Sequence, residues 1–191
     1  LSVHFQAWSG LFESCIEQAQ RAGVVRSAVP AALLAQFLLN SWEGVYFDIN
    51  QQGMDQMMAD IASMGGELFV MDDGWFGDKY PRKNDSSSLG DWVVDKNKLP
   101  NGIEGLLSDA KKHGVKFGIW IEPEMANTTS ELYEKHPDWV LKASERDVVL
   151  GRGGTQVVLD LANPAVQDFV FGVVDNLMTS YPEIDYIKWD A

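Results

Sequence analysis

The sequence predicts an α/β fold: a parallel sheet whose strands carry acids at their carboxyl ends, as in an α/β barrel. Three segments predict it: Leu68-Phe69-Val70-Met71-Asp72-Asp73, Lys116-Phe117-Gly118-Ile119-Trp120-Ile121-Glu122 and Tyr186-Ile187-Lys188-Trp189-Asp190. Each is a short run with apolar, β-branched or aromatic residues that ends in a carboxylate. Helical patterns stopped by glycine or proline separate them. Helix, stop, strand, acid is an order that calls for parallel strands joined by right-handed crossovers. Acids gathered at the carboxyl ends of successive strands are what such a barrel uses to build a site.

Taken in order, Trp8, Leu11, Phe12, Cys15, Ile16 and Ala19 recur at helical spacing, so residues 1–35 read as a helical segment that packs without a further assignment. Phe37 to Asn40 is the first core strand. Asn50 caps a helix carrying Met54, Met57, Met58, Ile61 and Met64 on one side, and Gly65-Gly66 ends it. That methionine stripe is core packing. Leu68 to Met71 follows as a strand, and residues 76–103 as a long loop. Leu106, Leu107 and Ala110 mark a helix ended by Gly114, before the strand Val115 to Ile121. Thr129 to His136 is a short helix stopped by Pro137, and Gln156 to Leu161 a brief strand. Asn163-Pro164 opens a helix with Phe169, Val170, Val173, Val174 and Leu177 inward. Pro182 stops it ahead of the last strand. The long segments after Trp75 and after Glu122 are insertions on the carboxyl face, where function is expected.

One domain is the expectation for 191 residues. The net charge of −13 argues against nucleic acid or an anionic membrane surface as partner, and suits carboxylates that bind a neutral ligand. Cys15 is the single cysteine, so no intrachain disulfide or cysteine-based zinc site is expected. The run Val29 to Leu39 is interrupted by Gln36 and too short for a bilayer. No signal peptide is readable, and a cytoplasmic location is the expectation. Starting at Leu1 and stopping one residue past Asp190, the chain reads as a fragment.

Two carboxylates in Asp72-Asp73-Gly74-Trp75 can accept several hydroxyl hydrogen bonds, with the tryptophan as a flat wall for the C–H face of a sugar ring. A cation site is the rival reading. No Asp-x-Asp-x-Asp-Gly loop is present, however, and His4, His113 and His136 sit on a terminus and at helix ends, where solvation is expected. Strand alternation puts Lys188 and Asp190 on one face, as a site or as a structural ion pair. Gly151-Arg152-Gly153-Gly154 is a weak match to a phosphate loop, and Arg152 alone reads as facing water.

These segments carry a resemblance. Leu39-Asn40-Ser41-Trp42-Glu43, Asp72 to Gly77, Gly90-Asp91-Trp92, Lys98 to Gly102, Lys116 to Met125, His136 to Trp139, Leu159-Asp160-Leu161 and Asp185 to Asp190 stand in the order seen in family 36 glycoside hydrolases, the bacterial α-galactosidases. The resemblance implies a (β/α)₈ TIM barrel of which residues 36–191 supply the N-terminal half, the first four or five strands. It implies cleavage of terminal α-galactosides with retention, without metal or cofactor, on a small galactoside; a homo-oligomeric parent is compatible with it. Raffinose-type oligosaccharides or α-N-acetylgalactosaminides are the substrates of close relatives. By position it makes Asp190 the nucleophile, Lys188 a contact to sugar hydroxyls, Asp72 and Asp73 the acceptors for the galactose 4- and 6-hydroxyls, Trp120 a pocket wall and Arg152 a ligand contact. The acid/base aspartate is implied to lie beyond the nucleophile strand. Lys188 is expected to keep Asp190 ionised. The competing reading is a non-catalytic galactose-binding or structural remnant, distinguished from an enzyme by the sequence after Ala191.

Overall fold

The computed structural model of the chain describes residues 38–190, so the helix expected in residues 1–35 and the Phe37 end of the first strand lie outside the described residues. Four strands, β1 (Leu38–Asn40), β2 (Leu68–Met71), β3 (Lys116–Ile121) and β6 (Tyr186–Trp189), form one sheet in the order β1-β2-β3-β6. Every pairing is parallel, as the sequence predicts. Between β3 and β6 lies a strand the periodicity does not announce, β4 (Met125–Asn127), with β5 (Gln156–Val158) antiparallel to it. The brief strand expected at Gln156 to Leu161 therefore belongs to a separate two-stranded ribbon. Three residues of mixed character carry too little alternation to declare a strand.

Register decides where each side chain goes. Val70 pairs with Gly118, Gly118 with Tyr186, and Trp120 with Lys188. Side chains alternate with period 2, so Asp72, Trp120 and Lys188 stand at one level of one face. Glu122 and Asp190 come next on that face, the ladder continuing through Asp190 N–H to the Ile121 carbonyl at 3.0 Å. Phe69, Met71, Phe117, Ile119 and Ile121 point the other way, into the core. Gly118 is needed where it stands: a Cβ there would lie 3.0 Å from the Tyr186 ring.

The helices cover that apolar face. After the short α1 (Trp42–Val45), α2 (Gln51–Ser63) begins at Asn50, whose Oδ1 accepts from Gly53 N–H at 2.8 Å. It buries Met54, Met58 and Ile61, each about 1.5–3 kcal/mol of transfer free energy. The helix α3 (Gly102–His113) buries Ile103, Leu106 and Ala110 and closes on Gly114 in the left-handed conformation. His113 is its last residue, but it is not simply solvated: its Nε2 lies 2.7 Å from Asp55 of α2 and ties the two helices together. The short α4 (Glu131–Lys135) is capped by Ser130 and by Asp91, whose two oxygens accept from Glu131 and Leu132 N–H at 2.9 Å. The long α5 (Pro164–Ser180) starts at Asn163, with Val166, Val173 and Leu177 buried. Tyr186 and Trp189 of β6 are exposed at the edge of the described sheet.

Loops are tied to the strand ends by one lysine. Lys98 Nζ donates to the carbonyls of Phe47 (2.7 Å), Gly74 (2.6 Å) and Arg82 (2.7 Å), joining three segments distant in sequence. Gly74 has φ +118, with the Phe47 backbone 3.0 Å from where a Cβ would sit. Lys98→Met is therefore expected to destabilise the protein by about 2–4 kcal/mol, since three carbonyls lose a charged donor. Gly74→Ala is expected to cost about 1–3 kcal/mol through backbone strain. Thermal unfolding followed by tryptophan fluorescence measures both, and an unchanged midpoint for Lys98→Met would refute its tying role.

Candidate active site

The acids at the strand ends are held by hydrogen bonds that the local fold supplies. Asp72 N–H donates to Ser41 Oγ at 2.9 Å, and Asp72 Oδ1 accepts from Asp73 N–H at 2.8 Å. Asp72 Oδ2 takes both Asn40 Nδ2 at 2.6 Å and Lys188 Nζ at 2.7 Å. Lys188 thus pairs with Asp72, across the sheet, and not with Asp190 as its place two residues away suggests. Asp190 Oδ2 instead accepts from Trp120 Nε1 at 3.2 Å. Of the residues singled out from sequence, Asp72 with Lys188 and Trp120 with Asp190 form two hydrogen-bonded pairs on one face of the sheet.

Asp73 turns to a different partner. Its Oδ1 accepts from Arg82 Nε at 2.9 Å and its Oδ2 from Arg82 Nη2 at 2.7 Å, a two-pronged pair with both side chains almost without solvent contact. Burial pushes the Asp73 carboxyl up, the Arg82 hydrogen bonds and charge oppose it, and Asp72 and Asp85 add to the rise. Arg82 Nη1 reaches the Ser87 carbonyl and Asn127 Oδ1, both at 2.9 Å, and its guanidinium stands 5.2 Å from the Phe47 ring centre. Sequence reasoning missed Arg82. It lies in the insertion after Trp75, where a lone arginine between Pro81 and Lys83 has no periodic signature.

Lone pairs show what the acids have left to offer. Each carboxylate oxygen accepts about two hydrogen bonds. Asp72 Oδ2 is filled, whereas Asp72 Oδ1 and both Asp73 oxygens each retain room for a hydroxyl donor. Glu122, the second missed residue, stands at the level of Asp190 with its side chain 4% exposed. Its Oε2 is buried with no hydrogen-bond partner. Burial pushes its carboxyl from 4.5 up to about 7; Arg152 opposes this, and Asp190 and Asp73 reinforce it. The signal for Glu122 was present, since it ends β3 as Asp72 ends β2. Arg152 lies half exposed, 3.8 Å from Glu122 and 3.6 Å from Asp85, near the cluster and neither hydrogen-bonded into it nor simply facing water.

Trp75 is not the flat wall expected of it. It is fully buried, donates Nε1–H to the Trp120 carbonyl at 3.0 Å and packs edge-on against Phe76. The turn at Gly74 sends it into the core. A cavity of about 470 Å³ opens between α5, α4 and residues 90–93, but none of these acids lines it. Among the described residues no cluster of three or more His, Cys, Asp or Glu is arranged to hold a metal ion, and no helix is long and apolar enough to cross a membrane.

Comparison with known proteins adds a family to this geometry. The family model described as Melibiase matches residues 15–191. The chain is 48% identical over 160 residues to the probable α-galactosidase C of Aspergillus flavus, covering 80% of this chain and 21% of that protein. It is 45% identical over 153 residues to α-galactosidase AgaA of Geobacillus stearothermophilus, covering 80% and 20%. The crystal structure of the GH36 enzyme AgaA matches with a TM-score of 0.75 at 44% identity, over 81% of this chain and 21% of that one. An AgaA variant in complex with raffinose matches with a TM-score of 0.74 at the same identity and coverage. The chain spans about a fifth of the length of the curated relatives it matches. Its parallel sheet is that of the first strands of their barrel, and the chain belongs to the melibiase family, the family 36 glycoside hydrolases.

Proposed function

We propose that the full-length protein is a retaining α-galactosidase, hydrolysing terminal α-D-galactosyl residues of small oligosaccharides, and that residues 36–191 form the N-terminal half of its barrel. The observation that carries this reading is the single face shared by Asp72, Trp120, Lys188 and Asp190 at the carboxyl ends of adjacent strands. Relatives that bind raffinose and stachyose support the substrate class.

In this reading Asp190 attacks the anomeric carbon. A retaining glycosidase needs one ionised carboxylate as nucleophile and a second, protonated one to release the leaving group. Trp120 Nε1–H steadies one oxygen of Asp190, leaving the other to form the glycosyl bond. Lys188 has three donors and spends one on Asp72, so two remain for sugar hydroxyls. The vacant lone pairs of Asp72 and Asp73 accept the galactose 4- and 6-hydroxyls. Arg82 orients Asp73, and its hydrogen bonds and charge oppose the rise that burial imposes on the Asp73 carboxyl. The acid/base carboxyl is supplied from outside these residues.

Three substitutions in the full-length protein test this, with a chromogenic α-galactoside for turnover and calorimetry for galactose binding. Asp190→Asn is expected to lower kcat by at least about 10³-fold while galactose still binds, because covalent catalysis has no substitute for the nucleophile. Wild-type turnover by that variant would remove Asp190 from the role. Asp73→Asn is expected to raise KM and lower kcat together, since its hydrogen bonds hold the sugar in ground and transition states alike. Arg82→Lys replaces a fork by a point charge, and about tenfold weaker galactose binding is expected; unchanged affinity would detach Arg82 from the site.

A further inference from the structure

We propose that Glu122 is a positioning residue that draws the Arg152 guanidinium over the strand-end acids and so aims its donors at the galactoside. This rests on the α-galactosidase reading. Glu122 follows β3 directly and stands beside Asp190 on the site face. Its Oε1 lies 3.8 Å from Arg152 Nη2, while Oε2 is buried without a partner. A buried carboxylate oxygen left unpaired is costly, and a purely structural role is served better by an amide or an apolar group.

Arg152 has the complementary features. Its backbone has φ +37, a region that L-residues rarely adopt, with glycine at 151, 153 and 154. Among the described residues the charged partners of its side chain are Asp85 at 3.6 Å and Glu122 at 3.8 Å, too far for good hydrogen bonds. Charge alone therefore orients the guanidinium, and among the described residues its N–H donors make no side-chain hydrogen bond. Asp85 Oδ1, the atom that faces Arg152, is buried without a hydrogen-bond partner and lies equally far, 3.6 Å, from Arg82, so its charge is shared between two guanidiniums. Glu122, with its side chain 4% exposed against 47% for Asp85, is the more deeply buried side chain of the two anchors and stands on the site face itself.

The charged groups facing Glu122 are Arg152 from the second insertion, Arg82 from the first, Asp73 beyond β2 and Asp190 beyond β6. With its carboxyl held at about 7, Glu122 is charged above that pH and neutral below it, so its hold on Arg152 loosens as pH falls. KM for a p-nitrophenyl α-galactoside should therefore fall as pH rises through about 7 in the full-length protein.

Glu122→Gln is expected to abolish that step and leave KM about tenfold above wild type at about pH 8, with a smaller effect on kcat. Arg152→Gln should do the same, and the double variant should be no worse than either single one, because one interaction is lost in all three. A wild-type KM and an intact pH step in Glu122→Gln, or additive effects in the double variant, would overturn the proposal. An inactive unmodified protein would instead count against the α-galactosidase reading. The pairing is then read from thermal unfolding of the same four proteins at about pH 8, where additive midpoint shifts overturn it and non-additive ones support it. The stability sign is also fixed. A carboxyl raised from 4.5 to about 7 contributes stability that is full below pH 4.5 and lost as pH rises through 7, and Glu122→Gln removes that slope.

Discussion

Asp73 sits at the end of β2 with almost no solvent contact, and its charge is answered by Arg82, which has none. Removing one partner from a buried ion pair typically costs about 3–5 kcal/mol, because the other charge is left without water or counterion. The first insertion therefore has to return to the strand end and deliver a guanidinium there. Much of its conformation can be understood as satisfying that demand. The ring of Phe47 and the amide of Asn127 form the seat for Arg82, and Lys98 fixes the Arg82 carbonyl.

Asn127 shows how the two insertions depend on each other. Its Oδ1 accepts from Arg82 and from Leu89 N–H, while its Nδ2 donates to the carbonyls of Asp85 and Thr155. The small ribbon of β4 and β5 exists where it does to present this amide. Asp91, by capping α4, locks the end of the first insertion onto the start of the second. The strands set the level of each acid, and the insertions set its electrostatic surroundings.

That division explains what could be read in advance. Strand positions, their parallel order and the shared face of Lys188 and Asp190 follow from period-2 alternation and from glycine and proline stops, which are local. The pairing of Lys188 with Asp72, 116 residues away, depends on register between strands, and no local pattern encodes register. Trp75 and Trp120 look alike in sequence, since each stands near a strand-end acid. Both rings are buried in the core, but the backbone turn at Gly74 aims the indole N–H of Trp75 at the Trp120 carbonyl, whereas that of Trp120 reaches Asp190. Arg82 and Lys98 are single polar residues in irregular segments, whose importance arises from what they meet after folding. The family resemblance named the acids but not the partners that hold them.

The order of strands across the sheet repeats their order along the chain. During synthesis each new strand therefore meets an edge already formed by the one before it, and no earlier pairing has to open to admit it. Assembly can proceed from the amino end at the pace of the ribosome, about 5–20 residues per second. Until a neighbour arrives, the growing edge displays bare backbone donors and acceptors beside apolar rings, here Tyr186 and Trp189 of β6. Such an edge is a template for any extended chain that encounters it.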